Sequence, residues 1–236
     1  MTGDGPLRMT PSRDWQVLVR RAARALGRSG LAHAYGHCSA RLDAGHFLVC
    51  AARPMGLIAP GEDGVVVPVE GPLPEGVLGE VRIHQQIYRR RPDVGGVARS
   101  MPAKTMSLST LRLTPKARHG TGSYFAPCAP LWDDPQLIRT EEQAAGVAAT
   151  LGASRAVVMR GNGVVTAGAS LEEAVVFTWY LEDAARVELD VLAADGGRGA
   201  GGGEAVFSAE EATLRAVGTG RIYERMWEYL THGDPE

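Results

Sequence analysis

The chain has 236 residues, 44% of them hydrophobic, and a formal net charge of −2. That length and apolar content suit one domain with a packed core, and the near-neutral charge excludes the strongly basic surface typical of a nucleic-acid binder. No apolar run reaches the roughly 18 residues of a membrane span, so no membrane partner is expected.

Taken in chain order, Thr10 or Ser12 can cap a first helix whose apolar stripe is Trp15, Leu18, Ala22, Ala25 and Leu26, with Gly27 and Gly30 marking its end. His46–Ala52 and Val65–Val69 are short β-rich runs. Glu80–Arg91 reads as a helix stopped by Pro92, with Ile83 and Ile87 on one face and Glu80 and His84 as i,i+4 neighbours. A strand over Val94–Ala98 precedes a helix over Lys104–Leu111. Thr140 with Gln143 forms a capping box before Ala144–Leu151. Arg155–Met159 and Val164–Ala167 are strands around a Gly161-Asn162-Gly163 turn. Ser170 with Glu173 caps a long helix to about Ala194, and Ser208 with Glu211 caps a last helix to about Thr231. Gly196–Gly203 between them reads as a flexible loop within a single domain, 1–236. Strands interspersed with helices fit an α/β sandwich.

The N-terminal MTGDGPLRMTPSRDW lacks the apolar core of a signal peptide, so a cytoplasmic protein is expected. Cys38, Cys50 and Cys128 show no C-x-x-C spacing and signal neither a disulfide framework nor a cysteine zinc site. Lys104 and Lys116 are the two lysines, and hence the two candidates for Schiff-base chemistry.

Several motifs carry a resemblance. Gly79–Pro102 reads GEVRIHQQIYRRRPDVGGVARSMP, and Ala156–Ala174 reads AVVMRGNGVVTAGASLEEA. Tyr35–Arg41 is YGHCSAR, Leu57–Asp63 is LIAPGED, Leu78–Glu80 is LGE, and Ala126–Leu131 is APCAPL. Together, over roughly Trp15 to Arg186, these resemble the class II aldolase/adducin family. The resemblance implies an α/β sandwich with a mostly antiparallel central sheet flanked by helices. It also implies a homo-oligomer, commonly a tetramer, with sites between subunits, and a small-molecule substrate.

The departures from the family pattern are as informative as the matches. In the family a strand ends in H-x-H-P, whose two His bind a divalent metal; here it ends Arg99-Ser100-Met101-Pro102. The third ligand belongs to an N-H-G turn, where this chain has Asn162. A guanidinium is a permanent cation, a thioether suits soft metals, and a neutral amide is a poor zinc ligand. A catalytic zinc needs three protein ligands and an open position. The expectation is that this chain uses no metal and no other cofactor. In sugar-phosphate members, Asn, Thr and Ser residues of the G-N-x-S-x-R and I-T-P-S-G elements hold the phosphate. Here His37, Ala59 and Gly61 stand in three of those places, Ser39 survives, and Glu62 adds negative charge. A non-phosphorylated substrate is expected, since a carboxylate close to a phosphate repels it.

Glu80 occupies the family's proton-moving position; the plain alternative is a helix-start carboxylate complementing the dipole. Arg99 can hold a substrate carboxylate or a developing enolate, or can fill the vacated metal hole by bridging to Glu80. His37 is a candidate proton shuttle or a structural histidine. Ser39, Met101, Asn162 and Tyr124 are candidate substrate contacts, against core filling for Met101 and a plain turn role for Asn162. His84 reads as structural. Cys38 adjoins His37, but adjacent residues need not point together as a nucleophilic pair. Lys104 reads as a surface lysine that could in principle form an imine. The favoured reading is a metal-independent lyase acting on a small non-phosphorylated carboxylate or keto compound by aldol-type, decarboxylation or dehydration chemistry. Secondary metabolism fits such a repurposed member. The alternative is a pseudoenzyme or small-molecule binding protein on the same scaffold.

Overall fold

The computed structural model describes residues 11–194 and 206–236. The expected loop at Gly196–Gly203 lies outside the described residues. In chain order the elements are α1 (Arg13–Arg28), β1 (His37–Arg41), β2 (His46–Val49), β3 (Val65–Pro68), α2 (Arg82–Arg90), β4 (Gly96–Ser100), α3 (Ala103–Thr110), β5 (Leu131–Trp132), α4 (Glu141–Leu151), β6 (Ala156–Met159), β7 (Gly163–Gly168), α5 (Leu171–Ala194), α6 (Ala209–Arg215) and α7 (Ile222–Thr231).

The strands form one seven-stranded sheet in the order β3-β2-β1-β4-β7-β6-β5. Every pairing is antiparallel except β5 with β6. β4 is the central strand and is buried along its whole length. Successive side chains of a strand point to opposite faces, and here each face has its own core. Cys38 and Ala40 of β1 and Ala98 of β4 join the core built with α1 and α5. Val97 of β4 joins the opposite core, which takes Ile83, Ile87 and Tyr88 from α2 and Ala144, Val147 and Leu151 from α4. The alternation therefore sends His37, Ser39 and Arg99 to the α2 face, and the β1–β4 register sets His37 directly opposite Arg99.

The helix starts follow their side chains. Ser12 accepts from Trp15 N–H, and both Thr140–Gln143 and Ser208–Glu211 form complete capping boxes. Ser170 accepts from Glu173 N–H at 3.3 Å while Glu173 accepts from Ala169 N–H at 3.0 Å. Each such cap stabilises its helix by about 1 kcal/mol.

Three expectations are corrected. The last helical stretch is two helices: the chain leaves helical geometry at Ala216 (ψ 59°), and Gly220 and Arg221 take positive φ just before the second begins. Glu80 lies in a 3-10 turn, Gly79–Val81, ahead of α2, so it does not share a helix face with His84. The central strand runs to Ser100 rather than stopping at Ala98. Among the described residues, no helix is long and apolar enough to cross a membrane.

α5 lies almost against the sheet at the start of β4. A Cβ added to Gly96 would stand 2.2 Å from Leu171 Cα. Neither backbone can yield without moving the central strand. Gly96→Ala is expected to cost about 1–3 kcal/mol through overpacking, read as a fall in Tm of roughly 2–12 °C. Gly45→Ala, whose Cβ would meet nothing nearer than 3.6 Å, should leave Tm unchanged.

Candidate active site

A cleft of about 900 Å³ opens at the end of β4, lined among others by His37, Glu80, Arg99, Met101 and Asn162. Four elements build it. β4 delivers Arg99 and the residues after it, β1 delivers His37, the 3-10 turn before α2 delivers Glu80, and the β6–β7 turn delivers Asn162. Gly161 and Gly163 flank Asn162 with positive φ, which lets the turn close tightly enough to aim its amide inward.

Arg99 is the hub. It is only 2% exposed. Its Nε lies 3.0 Å from Glu80 Oε2, and its Nη2 donates to Asn162 Oδ1 at 2.9 Å. The Nε contact is an ion pair without the alignment of a hydrogen bond, and Nη1 has no partner among the described residues. Burial pulls the Arg99 pKa below the usual arginine range while Glu80 opposes that fall; the guanidinium remains a cation. The outer partners are anchored in turn. Glu80 Oε1 accepts from Ile138 N–H at 3.3 Å, and Asn162 Nδ2 donates to Gln136 O at 3.4 Å. Arg53 and Arg139 add exposed cations to the lining.

Behind the cleft wall runs a second set of contacts. His37 Nδ1 lies 2.8 Å from His84 Nε2. His84 Nδ1 lies 2.6 Å from Ser39 Oγ, and Ser39 Oγ lies 2.9 Å from the Tyr88 hydroxyl. Tyr88 donates to the Ser39 carbonyl at 3.0 Å. Burial, then His84, then Arg99 hold the His37 pKa well below the usual histidine value. Burial, then Arg99, push His84 down to about 3. Both imidazoles are therefore neutral near pH 7, and burial pushes the Tyr88 phenol up.

The sequence-predicted residues thus separate. Glu80, Arg99, His37, Met101 and Asn162 converge on the cleft. Ser39 does not line it; it is fully buried and stands behind His84. Tyr124 is not in this chain's cleft: it sits among Phe177, Tyr180 and Tyr223 and donates to Val217 O at 2.6 Å. Glu62 is likewise corrected. It is half-buried and ion-paired with Arg53, so it does not place bare negative charge in the site. Lys104 is exposed at the start of α3 and outside the lining, and Cys38 points to the other core, where Cys50 meets it. Sequence reasoning misses the grouping of His84 and Tyr88 with the site. Their spacing of four on α2, facing His37 and Ser39 spaced by two, is a signal only once His37–Arg41 is known to be a strand.

The sequence family model described as the class II aldolase and adducin N-terminal domain matches residues 17–189. The chain belongs to the class II aldolase and adducin family. A 3,4-dihydroxyphthalate decarboxylase of Terrabacter sp. (strain DBF63) is 28% identical over 232 residues, covering 86% of this chain and 90% of that one. The enzyme of the same name from Arthrobacter keyseri is 28% identical over 194 residues, covering 74% and 77%. Among solved structures, the L-fuculose-1-phosphate aldolase of Thermus thermophilus superposes with a TM-score of 0.68 at 28% identity, over 76% of this chain and 95% of that one. The family fold, with its mostly antiparallel sheet flanked by helices, is therefore the fold of this chain.

The residues present do not fit the divalent metal expected from the family motif. The three positions carry a guanidinium, a thioether and a carboxamide. The guanidinium already holds Glu80, and a divalent cation beside it would be repelled. Among the described residues no three His, Cys, Asp or Glu side chains gather as a metal site.

The two buried imidazoles give a pH signature. Their folded-state pKa values lie below the unfolded value of 6.5, so the unfolded chain binds more protons between the two. Their contribution to stability is complete above pH 6.5 and is lost as pH falls through their folded-state values, about 3 for His84. Unfolding free energy from urea titration should fall between pH 7 and pH 5, before most carboxylates titrate. The fall should be smaller in His37→Gln; an identical fall would show that His37 is not buried neutral.

Proposed function

We propose that this chain is a lyase that removes carbon dioxide from a small, non-phosphorylated carboxylate, with Arg99 performing the task relatives give to a metal. The observation that carries this reading is the free Nη1 of a buried Arg99 lining a cleft that holds Glu80 and His37. No protein acceptor among the described residues meets this N–H, so a ligand oxygen at the cleft end of the guanidinium would satisfy it. The two decarboxylase relatives support the reaction class. Ala59 and Gly61, in place of hydroxyl residues, support a substrate without phosphate.

In this reading the substrate carboxylate docks on Arg99 beside Asn162, with Met101 as an apolar wall. For a keto acid the bond to the leaving carboxylate breaks, carbon dioxide departs, and the electron pair enters an enolate that the fixed guanidinium stabilises before a proton closes the new C–H bond. For a hydroxylated aromatic acid the proton is added first, at the ring carbon that bears the carboxylate, with a ring hydroxyl drawn toward a base; the C–C bond then breaks, its electron pair restores the ring, and carbon dioxide departs. Either order needs one proton delivered at that carbon. Glu80 is placed to bring it, because its side chain is 22% exposed and so reaches solvent as well as the cleft. His37 is the second candidate for moving a proton. The protein works as an oligomer: exposed Tyr35, Leu78 and Leu137 rim the cleft, where a second copy would complete the wall. Light scattering showing a stable monomer at micromolar concentration would count against that assembly.

The competing reading is that Arg99 and Glu80 are only a buried bridge on a non-catalytic scaffold, and their 3.0 Å contact favours it. One set of variants separates the two. If Arg99 stabilises developing charge, Arg99→Met folds but loses roughly 10²–10³ in turnover. Arg99→Lys recovers little, because an ammonium lacks the planar fork. Glu80→Gln is also folded and nearly inactive. If the pair is only structural, single removal costs about 3–5 kcal/mol of stability, and an apolar double replacement restores it. Turnover of dihydroxybenzene- and hydroxybenzene-carboxylates and Tm are measured on the same variants, with and without chelator. Normal turnover in folded Arg99→Met, or loss of activity on chelation, overturns the reading.

A further inference from the structure

The contacts behind the cleft determine which way His37 faces chemically. Four short contacts join Tyr88, Ser39, His84 and His37: hydroxyl to Ser39 carbonyl, Oγ to Tyr88 hydroxyl, Nδ1 of His84 to Oγ, and Nε2 of His84 to Nδ1 of His37. With both imidazoles neutral, the four side chains carry one N–H or O–H each, four hydrogens in all. A carbonyl oxygen only accepts, so Tyr88 donates to the Ser39 carbonyl. The contact between Ser39 Oγ and the Tyr88 oxygen then needs the serine hydrogen. Ser39 Oγ is thereby left to accept, and His84 donates to it from Nδ1. His84 Nε2 is left bare and accepts from His37 Nδ1–H. Every contact holds one hydrogen, and none is left over.

The opposite polarity fails this accounting. If Ser39 donates to His84, then His84 donates to His37 and the His37 hydrogen sits on Nε2. One of the two Tyr88 contacts then has no hydrogen. The surplus hydrogen is on His37 Nε2, which is buried and has no partner among the described residues. It would also face the positive field of Arg99, directly across the β1–β4 register.

We propose that His37 presents a bare Nε2 lone pair to the cleft, so that the site selects a carboxylate that also carries a hydroxyl, the carboxylate on Arg99 and the hydroxyl donating to His37. The substrate-class part rests on the reading of the cleft as a carboxylate site; the orientation of His37 does not. The two unsatisfied buried groups are complementary in kind. Arg99 Nη1 offers a donor and asks for an acceptor, while His37 Nε2 offers an acceptor and asks for a donor. A plain carboxylate satisfies one of them and a hydroxy-carboxylate satisfies both. His84, Ser39 and Tyr88 are positioning residues: they reach the substrate only through the tautomer they impose. His84 also stacks on Phe47, with ring centroids 6.3 Å apart, which fixes its ring plane.

Two measurements test this. The first needs no substrate. Protein labelled with 15N-histidine is examined by long-range 1H–15N spectra at pH 7, with the His37 and His84 signals assigned from His37→Gln and His84→Gln. Both rings are expected as neutral Nδ1–H tautomers; an Nε2–H His37 overturns the proposal. The second compares binding of benzoate with its 2- and 3-hydroxy and 2- and 3-methoxy derivatives by calorimetry. At one ring position the hydroxy compound is expected to bind roughly tenfold tighter than benzoate and than its methoxy counterpart. Tyr88→Phe removes the acceptor of the Ser39 hydrogen, which can then turn to His84; the reversed chain, with N–H on His37 Nε2, is no longer excluded by the count. That variant should lose the hydroxy preference or favour the methoxy compound, while binding benzoate as before. Ser39→Ala, which cuts the chain, should abolish the preference. Equal binding of hydroxy and methoxy compounds in the unmodified protein, or an unchanged preference in folded Tyr88→Phe, sinks the proposal. The carboxylate reading fails separately, when benzoate binding is unchanged in Arg99→Met.

Discussion

A buried guanidinium at the end of the central strand governs this molecule. Removing a charge from water is costly, and the cost is tolerable only where opposite charge and hydrogen bonds surround it. Arg99 meets that demand with Glu80 and Asn162, which come from chain segments on either side of β4. The consequences spread outward. The 3-10 turn ahead of α2 must hold Glu80 toward the sheet, the β6–β7 turn must aim Asn162 inward, and Ile138 N–H must steady the far oxygen of Glu80. The positive charge also acts across the β1–β4 register, where it helps keep His37 and His84 neutral. Neutral imidazoles in turn can be joined end to end by hydrogen bonds, which two imidazoliums could not.

The fold is legible in the sequence to a large degree. Capping pairs at Thr140–Gln143 and Ser208–Glu211 announce helices that form with those caps in place, and the run from Glu80 to Pro102 announces the helix and central strand that carry the site, though not the turn that holds Glu80. What stays hidden does so for physical reasons. β1 is five residues with polar His37 and Ser39 on a buried face, so no apolar alternation marks it as a strand. Without that strand His37, Ser39, His84 and Tyr88 cannot be seen as one set. The break between α6 and α7 begins at Ala216 and ends with positive φ at Arg221, conformations that neither residue type advertises. Tyr124 looks like a site residue because it precedes a family-like APCAPL run; burial against Phe177 and Tyr180 takes it elsewhere.

A fixed guanidinium differs from a metal ion in ways that bear on which chemistry the scaffold can support. It carries one positive charge rather than two, it does not bind water as a ligand, and it cannot take two substrate oxygens into a coordination sphere. It offers directed N–H donors with fixed geometry instead. Cleaving a bond between two carbon fragments of a sugar needs strong polarisation of a carbonyl. Loss of carbon dioxide from a hydroxylated ring needs less, because a hydroxyl drawn toward a base helps the ring take a proton at the carbon that bears the carboxylate, and the breaking bond then restores the aromatic ring. On the proposed reading, an arginine across from a neutral histidine acceptor meets those smaller demands. The same pairing explains why the remaining departures from the family pattern occur together. On the proposed reading, a side chain that supplies the charge leaves the three imidazoles without a purpose, and a substrate anchored by its carboxylate leaves the phosphate-holding hydroxyls without theirs.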